Sequence, residues 1–151
     1  MRRLFLIMAF AFALATAARA GNGHVYKVLP QYLDDKGRAS LTPSLYDRDA
    51  YQADLRQHPA KRSALQFAVQ WKISGPKTDT LKLRVELRGT AQADLPNQTS
   101  LELPVKHHLF SHWDNVVLAP DQYKAFGEVT AWRVTLWDGD QMLDEQKSFL
   151  W

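Results

Sequence analysis

Leu65-Gln66-Phe67-Ala68-Val69-Gln70-Trp71-Lys72-Ile73 sets a large apolar side chain at every odd position and a smaller or polar one at every even position. Successive side chains of a strand point to opposite faces, so a period of two reads as a strand with one dry and one wet face. The pattern returns at Leu81, Leu83, Val85 and Leu87, with Lys82, Arg84, Glu86 and Arg88 between them. It returns more briefly at Leu101, Leu103 and Val105. Strands of this kind belong to antiparallel sheets packed on one side.

Working outward, turn signals bound each run. Ser74-Gly75-Pro76 separates the first two strands, and Gly89 to Thr99, with Pro96 and Asn97, separates the second from the third. Further strands are expected from His112 to Ala119 and from Glu128 to Trp137, the latter with Trp132, Val134 and Leu136 on one face. Between them Pro120-Asp121 opens a helical turn near 120–126. Asp138-Gly139 suits a type I′ hairpin turn. That register sets Trp137 opposite Asp140, Val134 opposite Leu143 and Arg133 opposite Asp144. It also sets Trp132 against Glu145, a mismatch that predicts a bulge or a longer turn.

Toward the N-terminus, Val25 to Leu29 reads as a strand and Asp34-Asp35-Lys36-Gly37 as a turn. Ser44 to Gln57 reads as a short helix near 44–58, capped by Thr42-Pro43-Ser44, with Asp47 and Asp49 early and Pro59 after its end. Leu45, Tyr46, Ala50 and Ala53 fall roughly on one helical face, with Tyr51 and Leu55 off it. The chain is therefore expected to be mostly β, an antiparallel β-sandwich of about seven strands.

The stretch from Ala131 through Trp132, Arg133, Val134, Leu136, Trp137, Asp138-Gly139 and Leu143, closing on Phe149, resembles the final hairpin of immunoglobulin-like and fibronectin type III-like domains of exported bacterial proteins. The resemblance covers the C-terminal hairpin only. It implies an immunoglobulin-like sandwich with a helical insertion near 44–58, and by itself it implies no function.

Residues 1–20 carry the three parts of a secretory signal: Arg2 and Arg3, an apolar run from Leu4 to Ala15, and Ala18-Arg19-Ala20 as a small-x-small cleavage site. Cleavage there leaves one domain, 21–151, in the periplasm or outside the cell. The apolar run is shorter than the roughly 20 residues that a spanning helix needs, and no later segment is apolar enough to span. The leader holds three of the 19 basic residues and none of the 16 acidic ones, so the mature chain has no net formal charge. A neutral chain offers no electrostatic footprint for nucleic acid. The absence of cysteine excludes a lipoprotein anchor, a disulfide framework and a thiol nucleophile.

No nucleophile elbow, phosphate loop or His-Glu-x-x-His signature is present, so no catalytic residue and no cofactor is expected. Trp137 shares a strand face with Arg133 and Thr135 and is a candidate partner anchor, together with Arg133 and the terminal Trp151. Trp71 and Trp132 have inward parity. These features favour a non-catalytic binding domain whose partner is a protein or another envelope component. One alternative is a metal protein or enzyme built on His107, His108 and His112, which requires a loop that brings the imidazoles within about 2.0–2.1 Å of one ion. A second is a small outer-membrane β-barrel, suggested by the terminal Phe149-Leu150-Trp151. The acids Asp138, Asp140, Asp144 and Glu145 are explained by hairpin chemistry.

Overall fold

The computed structural model describes residues 22–90 and 96–151; the expected signal peptide lies outside them. In chain order it contains β1 (Asn22–Leu33), α1 (Leu45–Gln57), a helical turn at Pro59–Lys61, β2 (Ala64–Ser74), β3 (Leu81–Thr90), β4 (Pro96–Pro104), β5 (His112–Leu118), α2 (Pro120–Phe126), β6 (Glu128–Asp138) and β7 (Gln141–Lys147). The strands form two sheets, ordered β1-β2-β5 and β4-β3-β6-β7, and every ladder is antiparallel. The described strands thus make the expected sandwich rather than one closed barrel.

The period of two fills the space between the sheets. Phe67, Val69, Trp71 and Ile73 of β2 face Leu81, Leu83, Val85 and Leu87 of β3, joined by Val116, Leu118, Val134 and Leu136, and none is more than 4 % exposed. A buried aromatic removes ~150–250 Å² from water, worth several kcal/mol at about 25 cal/mol per Å². Phe67 meets Trp132 edge to face, with ring centroids 6.1 Å apart. The Trp71 indole N–H, buried with its ring, donates to Asp114 Oδ2 at 2.8 Å.

Helix α1 forms where expected but docks differently. Ser44 caps it by accepting from the Asp47 N–H, and Pro59 follows its last turn. The residues it buries are Gln52 and Leu55, whereas Leu45 and Tyr46 are 67 % and 83 % exposed. The reason is polar. Gln52 accepts from the Tyr32 N–H at 2.9 Å and donates to the Tyr32 and Ala39 carbonyls at 2.9 and 2.7 Å. One buried amide satisfies backbone groups that would otherwise be orphaned, and it overrides the weak apolar stripe.

The last hairpin also departs from the expected register. Asp138 pairs with Gln141, so Gly139 and Asp140 form the loop, Gly139 at φ 56°. Thr78 and Thr80 donate their hydroxyls to Asp138, and the Gly139 N–H donates to the Thr80 carbonyl at 3.0 Å, which holds Asp138 in the strand. A bulge between Leu136 and Trp137 then sets Leu136 opposite Asp144, Thr135 opposite Glu145 and Arg133 opposite Lys147. A bulge or a longer turn was expected at Trp132 and Glu145; the register instead shifts at Leu136 and Trp137, and none of the expected Trp137–Asp140, Val134–Leu143 and Arg133–Asp144 pairings forms. Asp144 and Gln146 instead point into the sandwich, beside the edge of β1.

Candidate functional site

Arg133, Trp137 and Trp151, the expected partner residues, lie on the outer face of the four-stranded sheet and are already engaged there. Arg84 lies 4.7 Å over the Trp137 ring, and the Trp137 indole N–H donates to Thr135 Oγ1 at 2.8 Å. Thr135, on the same wet face, is fully buried beneath this cover. Arg88 and Arg133 lie 4.0 and 5.2 Å over the Trp151 ring. Arg133 also pairs with Glu86 at 2.7 Å, and Arg84 and Lys82 pair with Glu102 at 2.7 and 3.4 Å. All three tryptophan and arginine positions are half-buried. The face is a lattice of cross-strand ion pairs and stacked guanidiniums that satisfies itself.

The histidines do not converge. His108 and His112 stack face to face, with centroids 3.9 Å apart and planes 18° from parallel. The nitrogen lone pairs of an imidazole lie in its ring plane, so stacked rings direct them side by side rather than at one shared point. His112 Nε2 lies 3.9 Å from Asp114 Oδ1, and His108 meets Trp71 edge to face at 6.3 Å. His107 is not part of this stack; its Nε2 is buried without a hydrogen-bond partner. Among the described residues no group of three His, Cys, Asp or Glu side chains is placed to hold a metal ion.

Sequence reasoning missed the outer face of the three-stranded sheet. Here Tyr26, Gln70, Lys72, Phe110 and Ser111 line a depression of about 430 Å³. Tyr26 is 52 % exposed and Phe110 79 %, and Leu109 beside it is 81 %. Two devices build the site. A bulge between Val25 and Lys27 turns Tyr26 outward, and the connection from β4 to β5 carries Leu109-Phe110 into solvent. Trp113 and Val117 of β5, each 42 % exposed, continue the apolar surface. A signal was present: the even positions between Leu65 and Ile73 on β2 are Gln66, Ala68, Gln70 and Lys72, one charge where β3 carries four.

A second depression, about 360 Å³, is lined by Asp34, Arg38, Tyr51, Lys61, Arg62 and Ser63 among others. Its polar groups are spent on the fold. Burial pushes the Asp34 carboxyl up, but the Arg38 backbone N–H, the Arg38 guanidinium, the Tyr51 hydroxyl and the Lys36 N–H all donate to it and hold it well below the usual carboxylate range. Nearby, burial and then the Glu128 charge push the Tyr32 phenol up to about 12. Arg62 stacks over that ring at 4.1 Å.

Among the described residues no helix is long and apolar enough to cross a membrane. No family model, curated protein or solved structure matches the chain, so its function is read from its own geometry.

Proposed function

We propose that the chain is an exported, non-catalytic binding domain of the periplasm or cell exterior, and that it meets its partner through the outer face of the β1-β2-β5 sheet. The observation that carries this reading is the presence of Tyr26 and Phe110, both more than half exposed, in one depression also lined by Gln70, Lys72 and Ser111. Exposed aromatics beside hydrogen-bonding groups, here two neutral side chains and one lysine, are what interface hot spots use, and an exposed apolar patch rimmed by polar residues marks an interaction site. The opposite face has its charges paired and its tryptophans stacked, which leaves it less to offer. The leader at 1–20 supports export, and the three-plus-four strand arrangement supports the immunoglobulin-like reading. A mature chain with no net charge favours a protein or neutral envelope component over nucleic acid.

The test is photocrosslinking in cells from an aromatic crosslinking residue placed at Phe110, with the same residue at Trp137 as the control. A discrete adduct from position 110 that is weakened by Tyr26→Ala supports the reading. An adduct from position 137 alone moves the contact surface to the other sheet, and adducts from neither position overturn the binding-domain reading.

A further inference from the structure

A two-sheet sandwich has four strand edges, and three of them are guarded here. The edges of β1 and β7 face each other and are stitched: Val25 N–H donates to Asp144 Oδ2 at 2.8 Å, and Gln146 Nε2 donates to the Val25 and Tyr26 carbonyls at 2.8 and 3.1 Å. The edge of β4 begins and ends in proline, at Pro96 and Pro104, which removes donors from its ladder. The edge of β5 has none of these devices. It contains no proline, its pairing with β2 runs without a bulge, and among the described residues no side chain bonds to its free backbone edge.

The outward side chains of β5 are Trp113, Asn115 and Val117, none of them charged. The outward positions of the other edge strands carry Lys27 on β1, Glu102 on β4, and Glu145 and Lys147 on β7. A strand with charges on its outward face, laid on β5, would lose hydration there without gaining a counter-charge, so this face selects a partner strand that is uncharged outward. β5 is itself such a strand.

We infer that β5 pairs antiparallel with β5 of a second copy of this chain, about a two-fold axis through Asn115, to make a continuous six-stranded sheet. The register is self-complementary. Antiparallel pairing about Asn115 sets Trp113 against the partner's Val117 twice, and Asn115 against the partner's Asn115 once. Aromatic and β-branched residues are favourable cross-strand neighbours, and the two Trp–Val contacts cover side chains that are each 42 % exposed in the single chain. On the inner face Asp114 falls against the partner's Val116, and its carboxylate is already answered within its own chain by the Trp71 indole. The same patch meeting itself closes as a dimer and does not propagate into a filament. The edge adjoins the Tyr26–Phe110 depression, since Trp113 pairs with Gln70, so the crosslink at position 110 is repeated in the monomeric Val117→Glu variant: an adduct that persists there separates partner binding from the dimer.

The test is sedimentation velocity on protein purified after export, across a concentration series, with Trp113→Lys, Val117→Glu and the double variant. The native protein is expected to sediment as a dimer and each single variant as a folded monomer with a native circular dichroism spectrum. Mixing the two single variants, which sets a lysine against a glutamate, restores the dimer, and so does the double variant alone. Restoration by mixing excludes misfolding as the reason the single variants came apart. A native protein that stays monomeric at every concentration overturns the inference, as does a dimer that survives both single variants. So does capture of a strand from a different protein at this edge in place of a second copy.

Discussion

Asp144 on β7 accepts a hydrogen bond from the backbone N–H of Val25 on β1 at 2.8 Å, and this contact joins the two sheets along one side of the sandwich. The two strands do not pair as a ladder. An inward-pointing carboxylate and the Gln146 amide stand in for the missing backbone partners, which both satisfies β1 and blunts its edge. Val25 is 4 % exposed, so Asp144→Ala strands a donor with little access to water. The expected cost is about 1–3 kcal/mol, measured by urea unfolding. Asp144→Asn, which keeps an acceptor oxygen, is expected to cost clearly less. Faster hydrogen exchange at the Val25 amide in Asp144→Ala, with β3 amides unchanged, locates the effect; uniform acceleration would refute it.

Arg62 gathers three elements. It donates to the Leu55 carbonyl at 2.6 Å and to the Arg56 carbonyl, which caps the last turn of α1. It also stacks on Tyr32 of β1 at 4.1 Å and pairs with Glu128 of β6 at 3.3 Å. Its side chain is 7 % exposed, and Arg62→Ala leaves the Leu55 and Arg56 carbonyls without their donor and the half-buried Tyr32 ring without cover. The expected loss is about 2–4 kcal/mol in thermal or urea unfolding. Arg62→Lys is expected to recover less than half of that, because an ammonium cannot fork to two carbonyls and stack at once.

The fold was legible where burial is repetitive. Odd-position apolar residues on β2 and β3 define strands whatever else surrounds them, and Leu65 through Ile73 and Leu81 through Leu87 lie in the core as that parity requires. Parity does not register a residue that is buried for its hydrogen bonds. Gln52, and with it the docking face of α1, therefore escaped. So did the shift of the hairpin by one residue, since the Asp138 carboxylate is held by Thr78 and Thr80, about 60 residues earlier in the chain. The surface around Tyr26 and Phe110 was legible only in part: the sparse charge on the even positions of β2 marks its face, but it joins two segments that only the β1–β2–β5 sheet order brings together.

Asp34 sets part of the acid stability. Its carboxyl is held below its ordinary value of 3.8, so the unfolded chain binds the proton more readily than the folded one. The stabilisation is therefore fully present above about pH 4 and is lost as the pH falls through the folded value. Asp34→Asn is expected to start less stable at neutral pH and to lose little more on acidification. The observable is the slope of the urea midpoint against pH below about pH 4. Equal slopes for the native protein and Asp34→Asn would exclude this role.

Tyr32 acts at the other end of the scale. Its phenol is raised from 10.0 to about 12, so the folded chain holds its proton where the unfolded chain releases it. That contribution is complete below pH 10 and disappears as the pH rises toward about 12. Tyr32→Phe is expected to keep the ring under Arg62 while removing this alkaline dependence, read as a smaller drop in melting temperature between pH 9 and pH 11. The same drop in both proteins would mean that other groups set the alkaline limit.

Gly89 is fixed by its neighbours and not by its own dihedrals. It lies where the register of β3 against β6 shifts past Thr130, opposite Asn97 on β4 and Val129 on β6. A Cβ built there collides with the Glu128 carbonyl oxygen and comes within 2.7 Å of Phe126 Cε1. Neither obstacle can yield cheaply. The carbonyl belongs to the strand backbone, and Phe126 is 5 % exposed in the core. Gly89→Ala is therefore expected to cost about 1–3 kcal/mol through backbone displacement, although alanine is ordinarily the milder residue in a strand. Phe126→Leu in the same chain frees space on one side only, so the double variant is expected to recover none of the part due to the carbonyl. A Gly89→Ala protein within about 0.5 kcal/mol of the native one would mean that β3 and β6 do not approach this closely in solution.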